Sequence, residues 1–138
     1  MLDFKSRFGR HAQRRLREDK IVWLITADAQ KTPQPRPVWF HWDGRNVLIF
    51  SERKKAKLRH IARNPRVALH FNTDEDGGDV VVFVGEAALN EAPPQDRVKA
   101  YLRKYRAGIQ ELGMTVEQFR DSYVVPILVT PESMRGFF

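Results

Sequence analysis

Residues 51–57 (SERKKAK) place a hydroxyl and several cations where a β-type segment gives way to a helical pattern. The N-terminus of a helix presents free N–H groups and a partial positive charge, which together bind anions. Ser51 adds a hydroxyl, and Lys55 and Lys57 add two ammonium groups, so the combination suits a phosphate monoester. The glycines of a P-loop are missing. The same residues also fit a solvated basic helix face, and the pattern alone leaves both interpretations open.

Residues 36–42 (RPVWFHW) form the second unusual stretch, because a β-strand pattern carries aromatic side chains on both faces. Alternation places Arg36, Val38, Phe40 and Trp42 on one face, and Pro37, Trp39, His41 and Asp43 on the other. One face is expected to meet the core, and the other needs a cover. A second subunit or a flat ring system such as a flavin is one cover. A core strand packed on both faces is the alternative.

No residue pattern in the sequence indicates a metal site, a nucleophile or an acid–base pair. His11, His41, His60 and His70 have no metal-ligand spacing and no acidic residue placed to complete a site, so no metal is expected. Residues 74–79 (DEDGGD) lack the ligand pattern of a calcium loop. Neither a Ser-His-Asp arrangement nor a pair of carboxylates for hydrolysis is evident. Such a chain either delegates its chemistry to a cofactor or serves as a binding module.

Composition limits the classes of protein further. The 138 residues are 42% hydrophobic and 30% charged, which predicts one soluble globular domain over residues 1–138. The absence of cysteine excludes a disulfide scaffold, thiolate metal sites and cysteine nucleophiles. No segment resembles a signal peptide or a membrane span, so we expect a cytoplasmic protein. The net charge of +7 predicts an anionic partner: nucleic acid, a membrane surface or a phosphorylated small molecule.

The elements that position these residues are mostly strands. Alternation and β-branched content predict six strands, at residues 20–27, 36–42, 46–51, 66–73, 80–89 and 124–131, with residues 132–138 as a tail. Helices are predicted near the N-terminus, over residues 54–63 and 95–112, and after a capping box at Thr115. Asp43-Gly44 predicts a hairpin turn, and Gly85 a bulge. Without βαβ alternation, we expect a mainly β fold: an antiparallel closed or split barrel with flanking helices.

The order of these motifs resembles a known family. VWLIT, RPVWFHWDG, NVLIFS, a lysine six residues after that serine, NPRVALHF, GGDVVVFVGEA and VTPESMRGF are similar to the pyridoxamine 5′-phosphate oxidase-like family. The closer similarity is to its small actinobacterial members regarded as deazaflavin (coenzyme F420)-dependent reductases. The resemblance implies a six-stranded split barrel of the FMN-binding type. It also implies a homodimer with two cofactor sites at the subunit interface.

The same resemblance implies the residues of the site. Beside the ring it places one strand segment: Arg36, Pro37, Val38 and Trp39. Toward the ribityl-phosphate it places Ser51 and the phosphate-binding turn: Lys55, Ala56 and Lys57. The oxidase has an arginine where this chain has Ala56, which weakens FMN phosphate binding. The chain lacks the extended substrate-binding tail of the oxidase, so vitamin B6 oxidation is not expected. Phe137 or Phe138 is placed where it reaches the partner's cofactor.

The function implied is hydride transfer from coenzyme F420 to a small electron-poor acceptor at a dimer-interface site. The proton comes from water, His41 or Tyr123. The alternatives are an FMN-dependent oxidoreductase of the same family, a flavin or haem carrier without turnover, and a nucleic-acid-binding barrel. The expected partners are a small-molecule substrate and a second copy of the chain, without nucleic acid or membrane.

Overall fold

The computed structural model describes residues 2–138, which form five helices and seven strands. The helices are α1 (Arg7–Glu18), α2 (Ala56–Arg63), α3 (Gln95–Lys104), α4 (Arg106–Glu111) and α5 (Val116–Ser122). The strands are β1 (Val22–Ala27), β2 (Pro33–Val38), β3 (His41–Trp42), β4 (Val47–Ser51), β5 (Arg66–His70), β6 (Val80–Leu89) and β7 (Val125–Phe137). The mainly β class is therefore confirmed, with seven strands in place of six.

The strands form one antiparallel sheet in the order β2-β1-β5-β6-β7-β4-β3, and the chain connectivity forces this sheet to curl. If it were flat, its edge strands would lie about 29 Å apart. Yet β2 and β3, the two edges, are joined through Trp39 and Phe40 alone. Three consecutive Cα steps reach at most about 11 Å. The two edges must therefore approach each other, which gives the split barrel.

The barrel interior is filled by the buried residues of alternating strands. The burial pattern of β1 alternates strictly, with Val22, Leu24 and Thr26 inside, and β6 follows the same period. Ala12 and Leu16 of α1 are fully buried in the same core, and Ile61 of α2 joins it. A second, smaller cluster lies under the three later helices and contains Tyr101, Tyr105, Ile109 and Phe119.

The predicted strand over residues 36–42 is wrong as a single element. It divides into β2, which pairs with β1, and β3, which pairs with β4. Between them the backbone of Phe40 is bonded by side chains: its N–H donates to the Tyr105 hydroxyl at 2.8 Å, and its carbonyl accepts from Lys104 Nζ at 2.9 Å. The backbone groups there need no neighbouring strand, so the segment can cross between the two edges.

Other boundaries also differ from the predictions, three of them near the site or at the end of the chain. The helix predicted over residues 95–112 is interrupted at Tyr105, whose φ of −110° and ψ of 13° leave helical geometry. Leu112, expected on the inner stripe of that helix, is 55% exposed. The predicted tail belongs to β7, because residues 133–137 pair with β6. β2 begins at Pro33, inside the predicted turn. Edge pairing with β1 supplies the backbone contacts that the local pattern does not reveal.

Several local predictions are confirmed. The hairpin at Asp43-Gly44 joins β3 and β4, and Gly44 has a φ of +98°. Thr115 and Gln118 form a reciprocal capping box at α5. The register of β6 against β7 shifts at Gly85, where a Cβ would lie 2.1 Å from the carbonyl oxygen of Thr130. Within residues 2–138, no helix combines the length and the apolar character needed to cross a bilayer.

Candidate functional site

A cavity of about 540 Å³, here called the main cavity, lies where β2 and β4 end and α2 begins, under α3 and α5. Its lining joins an aromatic part and a charged part: Ile21, Arg36, Pro37, Val38, Trp39, Phe50, Ser51, Glu52, Lys55, Lys57, Tyr101, Leu112, Phe119 and Tyr123. This volume lies in the range of small-molecule sites. Seven of the eight residues assigned to the site from the sequence are in this lining.

The charged part of the main cavity holds three cations and one carboxylate. Glu52 lies 3.7 Å from Lys55 in an exposed i,i+3 pair, and Arg36 and Lys57 have no ion pair within residues 2–138. Burial of its side chain, and then the charges of Lys55 and Arg36, lower the pKa of Lys57 from its ordinary value. Burial and like-charge repulsion both disfavour the ammonium form. An anion placed here would relieve the repulsion.

The start of α2 adds further capacity for an anion. Lys55 is its N-cap, no side chain caps the first turn, and no acidic residue lies in that turn. The first N–H groups of a helix have no partner within the helix, and the helix dipole favours negative charge there. Just before it, Lys54 has a φ of +65°, so the turn from β4 into α2 contains a residue in the left-handed region.

A second cavity of about 200 Å³, the side cleft, adjoins this charged part. Arg36, Lys55 and Lys57 line both cavities, and Ala56 lines only the side cleft. Its remaining lining is polar: Thr26, Gln34 and His60. Thr26 is buried, and its hydroxyl lies 2.7 Å from His60 Nδ1. The eighth residue assigned to the site from the sequence is therefore next to the main cavity rather than in it.

The second face of the aromatic segment, at Trp39, is covered by the chain's own helices. The Trp39 ring stacks on Tyr105 at 4.5 Å between centroids and lies 5.7 Å from Phe119. Gly108 makes this packing possible, because a Cβ there would come within 3.0 Å of the indole. Phe40 and Trp42 meanwhile lie in the barrel core. The chain's own helices supply the cover, and Trp39 keeps part of its surface in the main cavity.

Ser51 occupies the end of β4. Its side chain is buried, and its hydroxyl donates to the carbonyl oxygen of Glu52 at 2.8 Å. The hydroxyl oxygen retains acceptor capacity, and its proton can be redirected if an anion enters. Its position between Phe50 and Glu52 places it where the aromatic part of the main cavity meets the charged part.

The two side chains considered as proton donors lie in different places. Tyr123 lines the main cavity, and burial, then the charge of Glu52, raises its pKa. His41 lies instead beside Arg97, with Nδ1 3.4 Å from the guanidinium, and does not line the main cavity. Burial, then the charge of Arg97, lowers the pKa of His41.

Phe138, which the resemblance places near the partner's cofactor, stacks on His11 of α1 at 4.0 Å between ring centroids.

A family model for pyridoxamine 5′-phosphate oxidase matches residues 8–135, which is nearly the whole chain. The chain belongs to the pyridoxamine 5′-phosphate oxidase family. The family resemblance drawn from the motif order is thereby confirmed. None of the curated proteins matches the chain in sequence.

Solved structures with this fold include proteins of different chemistry. An F420 reductase has a TM-score of 0.66 at 22% identity, covering 89% of this chain and 94% of its own. A FAD-binding protein from Mesorhizobium loti has a TM-score of 0.67 at 14% identity, covering 91% of this chain and 89% of its own. The haem storage protein HutZ from Vibrio cholerae has a TM-score of 0.67 at 16% identity, covering 98% and 95%. At these identities the likeness shows the fold.

Sequence reasoning did not assign several lining residues of this pyridoxamine 5′-phosphate oxidase family member to the site. They come from separated elements: Ile21, Phe50, Glu52, Tyr101, Leu112 and Phe119 in the main cavity, and Thr26, Gln34 and His60 in the side cleft. Phe50 and Glu52 flank Ser51 in the sequence, so both could have been assigned to the site together with Ser51. Nothing in the local pattern of α3 or α5 indicates that Tyr101 and Phe119 reach β2 and β4.

Proposed function

We propose that this chain is a coenzyme F420-dependent reductase that transfers hydride to a small electron-poor acceptor, with an FMN-dependent oxidoreductase as the alternative. One observation carries the proposal. Arg36, Lys55 and Lys57 converge at an uncapped helix start with Glu52 as the only lining carboxylate among residues 2–138, next to an aromatic cavity of about 540 Å³. This arrangement fits a molecule with a flat ring at one end and an anionic group at the other.

The residues present fit such a cofactor. Arg36, Pro37, Val38 and Trp39 would lie beside the ring, and Ser51, Lys55, Ala56 and Lys57 would hold the phosphate. When bound, the deazaflavin or flavin supplies hydride transfer, and the chain supplies position and charge. Trp39 is well suited to a fixed contact, because Tyr105 and Phe119 pack against its indole.

Coenzyme F420 is longer and more anionic than FMN, because it carries a phosphodiester and an oligoglutamate tail. Two features of the chain support it over FMN: the side cleft and additional exposed cations. The side cleft offers about 200 Å³ of polar space beyond the shared cations, and Arg53, Lys54 and Arg59 are exposed nearby on the same turn and helix. Each exposed pair contributes roughly 0.2–1 kcal/mol, so several cations are needed to bind such a tail.

Of the two side chains considered as proton donors, Tyr123 is the one placed to donate a proton to the acceptor. It lines the main cavity, whereas His41 does not. A tyrosine hydroxyl close to a carboxylate can recover its proton from solvent through that carboxylate, and Glu52 is partly exposed. His41 is thus no longer needed in the proposed reaction.

The outer face of the sheet supports the homodimer that the resemblance implies. Trp23 and Ile25 of β1 pair with His70 and Ala68 of β5, which pair in turn with Val82 and Val84 of β6. These outward side chains form a mostly apolar patch that stays half-exposed. Contiguous apolar patches mark protein interfaces. Ile25→Lys is expected to shift a dimer toward monomer in analytical ultracentrifugation.

The two other candidates have weaker support. A haem carrier needs an axial ligand such as His, Cys or Met, and none lines the main cavity within residues 2–138, although tyrosine, a rarer ligand, is present. Nucleic-acid stacking needs free aromatic faces, whereas Trp39 is stacked on the chain's own Tyr105 and the half-exposed Trp23 on His70.

Titration of the purified protein with F420, FMN and haemin tests the proposal. We expect F420 to bind more tightly than FMN, each with a change in ring absorbance or fluorescence, and haemin to bind weakly. A protein that binds neither ring, or that prefers haemin, would disprove the proposed function. Binding to single-stranded DNA that falls steeply with salt, without cofactor binding, would favour the nucleic-acid alternative.

A further inference from the structure

A third cavity of about 300 Å³, here called the apolar chamber, lies beside the main cavity, between α3, α5 and the strands β4 and β7. Its lining is mostly apolar: Phe50, Ala92, Pro93, Gln95, Val98, Leu102, Phe119, Arg120, Tyr123, Val124 and Pro126. Many of these side chains remain half-exposed, including Val98, Leu102 and Pro126. Apolar walls with a few polar groups are typical of small-molecule sites.

The apolar chamber and the main cavity meet at three aromatic side chains. Phe50, Phe119 and Tyr123 line both cavities, and Phe119 stacks on Tyr123 at 4.5 Å. A molecule in the apolar chamber therefore touches the same rings as a molecule in the main cavity. Arg36, Lys55 and Lys57 do not line the apolar chamber, so the two cavities would select different ligands.

Arg120 gives the apolar chamber its charge preference. It is exposed at the rim and has neither an ion pair nor a side-chain hydrogen bond within the described residues 2–138. No carboxylate lines the apolar chamber there. A free guanidinium beside an apolar hollow is complementary to an amphipathic anion whose apolar part enters and whose charged end stays at the rim.

We propose that the apolar chamber is the acceptor subsite, and that the acceptor is a small apolar molecule carrying a carboxylate or similar anionic group. The assignment to the acceptor rests on the proposed function, because it places the reducible end of the molecule at Phe50, Phe119 and Tyr123, where the apolar chamber meets the main cavity. The binding itself depends only on Arg120 and the apolar lining. The two parts of the proposal can therefore be tested separately.

Calorimetric titration with octanoate and octanol tests the binding. We expect wild-type protein to bind octanoate more tightly than octanol. Arg120→Gln should weaken octanoate binding about two- to fivefold, as for an exposed ion pair, and leave octanol unchanged. Arg106→Gln, an exposed arginine of α4 outside the apolar chamber, is the matched control and should have no effect. Equal octanoate binding by the Arg120 and Arg106 variants would overturn the charge assignment.

A second variant tests the apolar walls. Val98→Asp places a carboxylate in the apolar chamber and should weaken both ligands at least tenfold, since an unpaired charge would face the alkyl chain. Val98→Leu keeps the apolar character and should bind both. If Val98→Asp does not fold by circular dichroism, the larger Val98→Phe replaces it and should weaken both ligands by filling the apolar chamber. Unchanged binding by a folded variant would place the alkyl chain elsewhere and refute the site.

Occupation of the main cavity separates this proposal from the proposed function. Octanoate should bind wild-type protein saturated with FMN or F420, and it should bind Lys57→Gln as well as wild type. Octanoate binding in a protein that takes up neither ring would refute the proposed function and keep the ligand site. Displacement of octanoate by FMN would show that the apolar chamber is not a separate acceptor subsite.

Discussion

Replacement of Lys57 by glutamine should weaken the binding of a phosphorylated ring and stabilise the protein without it. In the free protein this half-buried ammonium has no ion pair within residues 2–138, and Lys55 and Arg36 repel it. When folding lowers the pKa of a lysine, the folded state is most stable at pH values above the unfolded pKa, where the lysine is neutral in both states. That stability is lost as the pH falls through the folded pKa and the folded protein must carry the charge. Near neutral pH the charge is therefore unfavourable, and Lys57→Gln should raise the melting temperature.

The expected loss of affinity follows from the position of each lysine. A hydrogen bond to a charged group contributes about 1.5–3 kcal/mol, or about 10- to 150-fold in Kd. Because Lys57 is only half buried, we expect the lower part of that range. Lys55 is more exposed and already near Glu52, so Lys55→Gln should cost about two- to fivefold. Lys99→Gln, on an exposed position of α3, is the control and should cost nothing.

Fluorescence titration with FMN and F420 and thermal melts with and without ligand measure both effects. A bound phosphate keeps Lys57 protonated, so wild-type affinity should fall as the pH rises from neutral toward the ordinary lysine pKa. The affinity of Lys57→Gln should change less over the same interval. If Lys57→Gln binds both rings as wild type does, Lys57 is not the anion-binding residue described above. If it melts at a lower temperature without ligand, the Lys57 ammonium is not unfavourable in the free protein.

Three further substitutions test the elements around the site. Tyr105→Phe removes the hydroxyl that accepts from the Phe40 N–H, and should cost about 1–3 kcal/mol in urea unfolding; a smaller loss would mean that water replaces it. Gly85→Ala drives a Cβ toward the Thr130 carbonyl and should cost about 1–3 kcal/mol or more, whereas a neutral result would show that the bulge adapts. Tyr123→Phe should lower kcat about 100-fold or more with unchanged F420 affinity, and an unchanged kcat would assign the proton to solvent.

The sequence predicted those parts of the fold that depend on neighbours along the chain. The Asp43-Gly44 hairpin and the Thr115 capping box are each determined by a few adjacent residues, and each is confirmed. The bulge at Gly85 is also confirmed, although it depends in addition on the close approach of the Thr130 carbonyl from β7. The strand period also identified most strands, because burial on one face repeats every second residue. The extension of β7 was missed, because residues 133–137 become a strand only through pairing with β6.

The candidate site was predictable to the same degree. Residues adjacent in sequence, such as Arg36 to Trp39 and Lys55 to Lys57, converge on two joined cavities. Tyr101 and Phe119 could not be found, because their helical pattern indicates only that they are buried. The cavity wall arises from the way α3, α4 and α5 fold back over β2 and β4, and a break at Tyr105 permits that path. This wall of the cavity therefore depends on contacts between elements that are distant in the sequence.

The segment from Arg36 to Trp42 links the stability of the barrel to the shape of the site. Arg36 and Trp39 line the main cavity, Phe40 crosses between the sheet edges, and Trp42 is buried in the barrel core. Tyr105 touches two of these positions, because its ring stacks on Trp39 and its hydroxyl bonds Phe40. A ligand that orders Trp39 should therefore also protect the Phe40 amide from hydrogen exchange, although Phe40 does not line the main cavity. Tyr105→Phe should remove most of that protection while leaving the stacking intact.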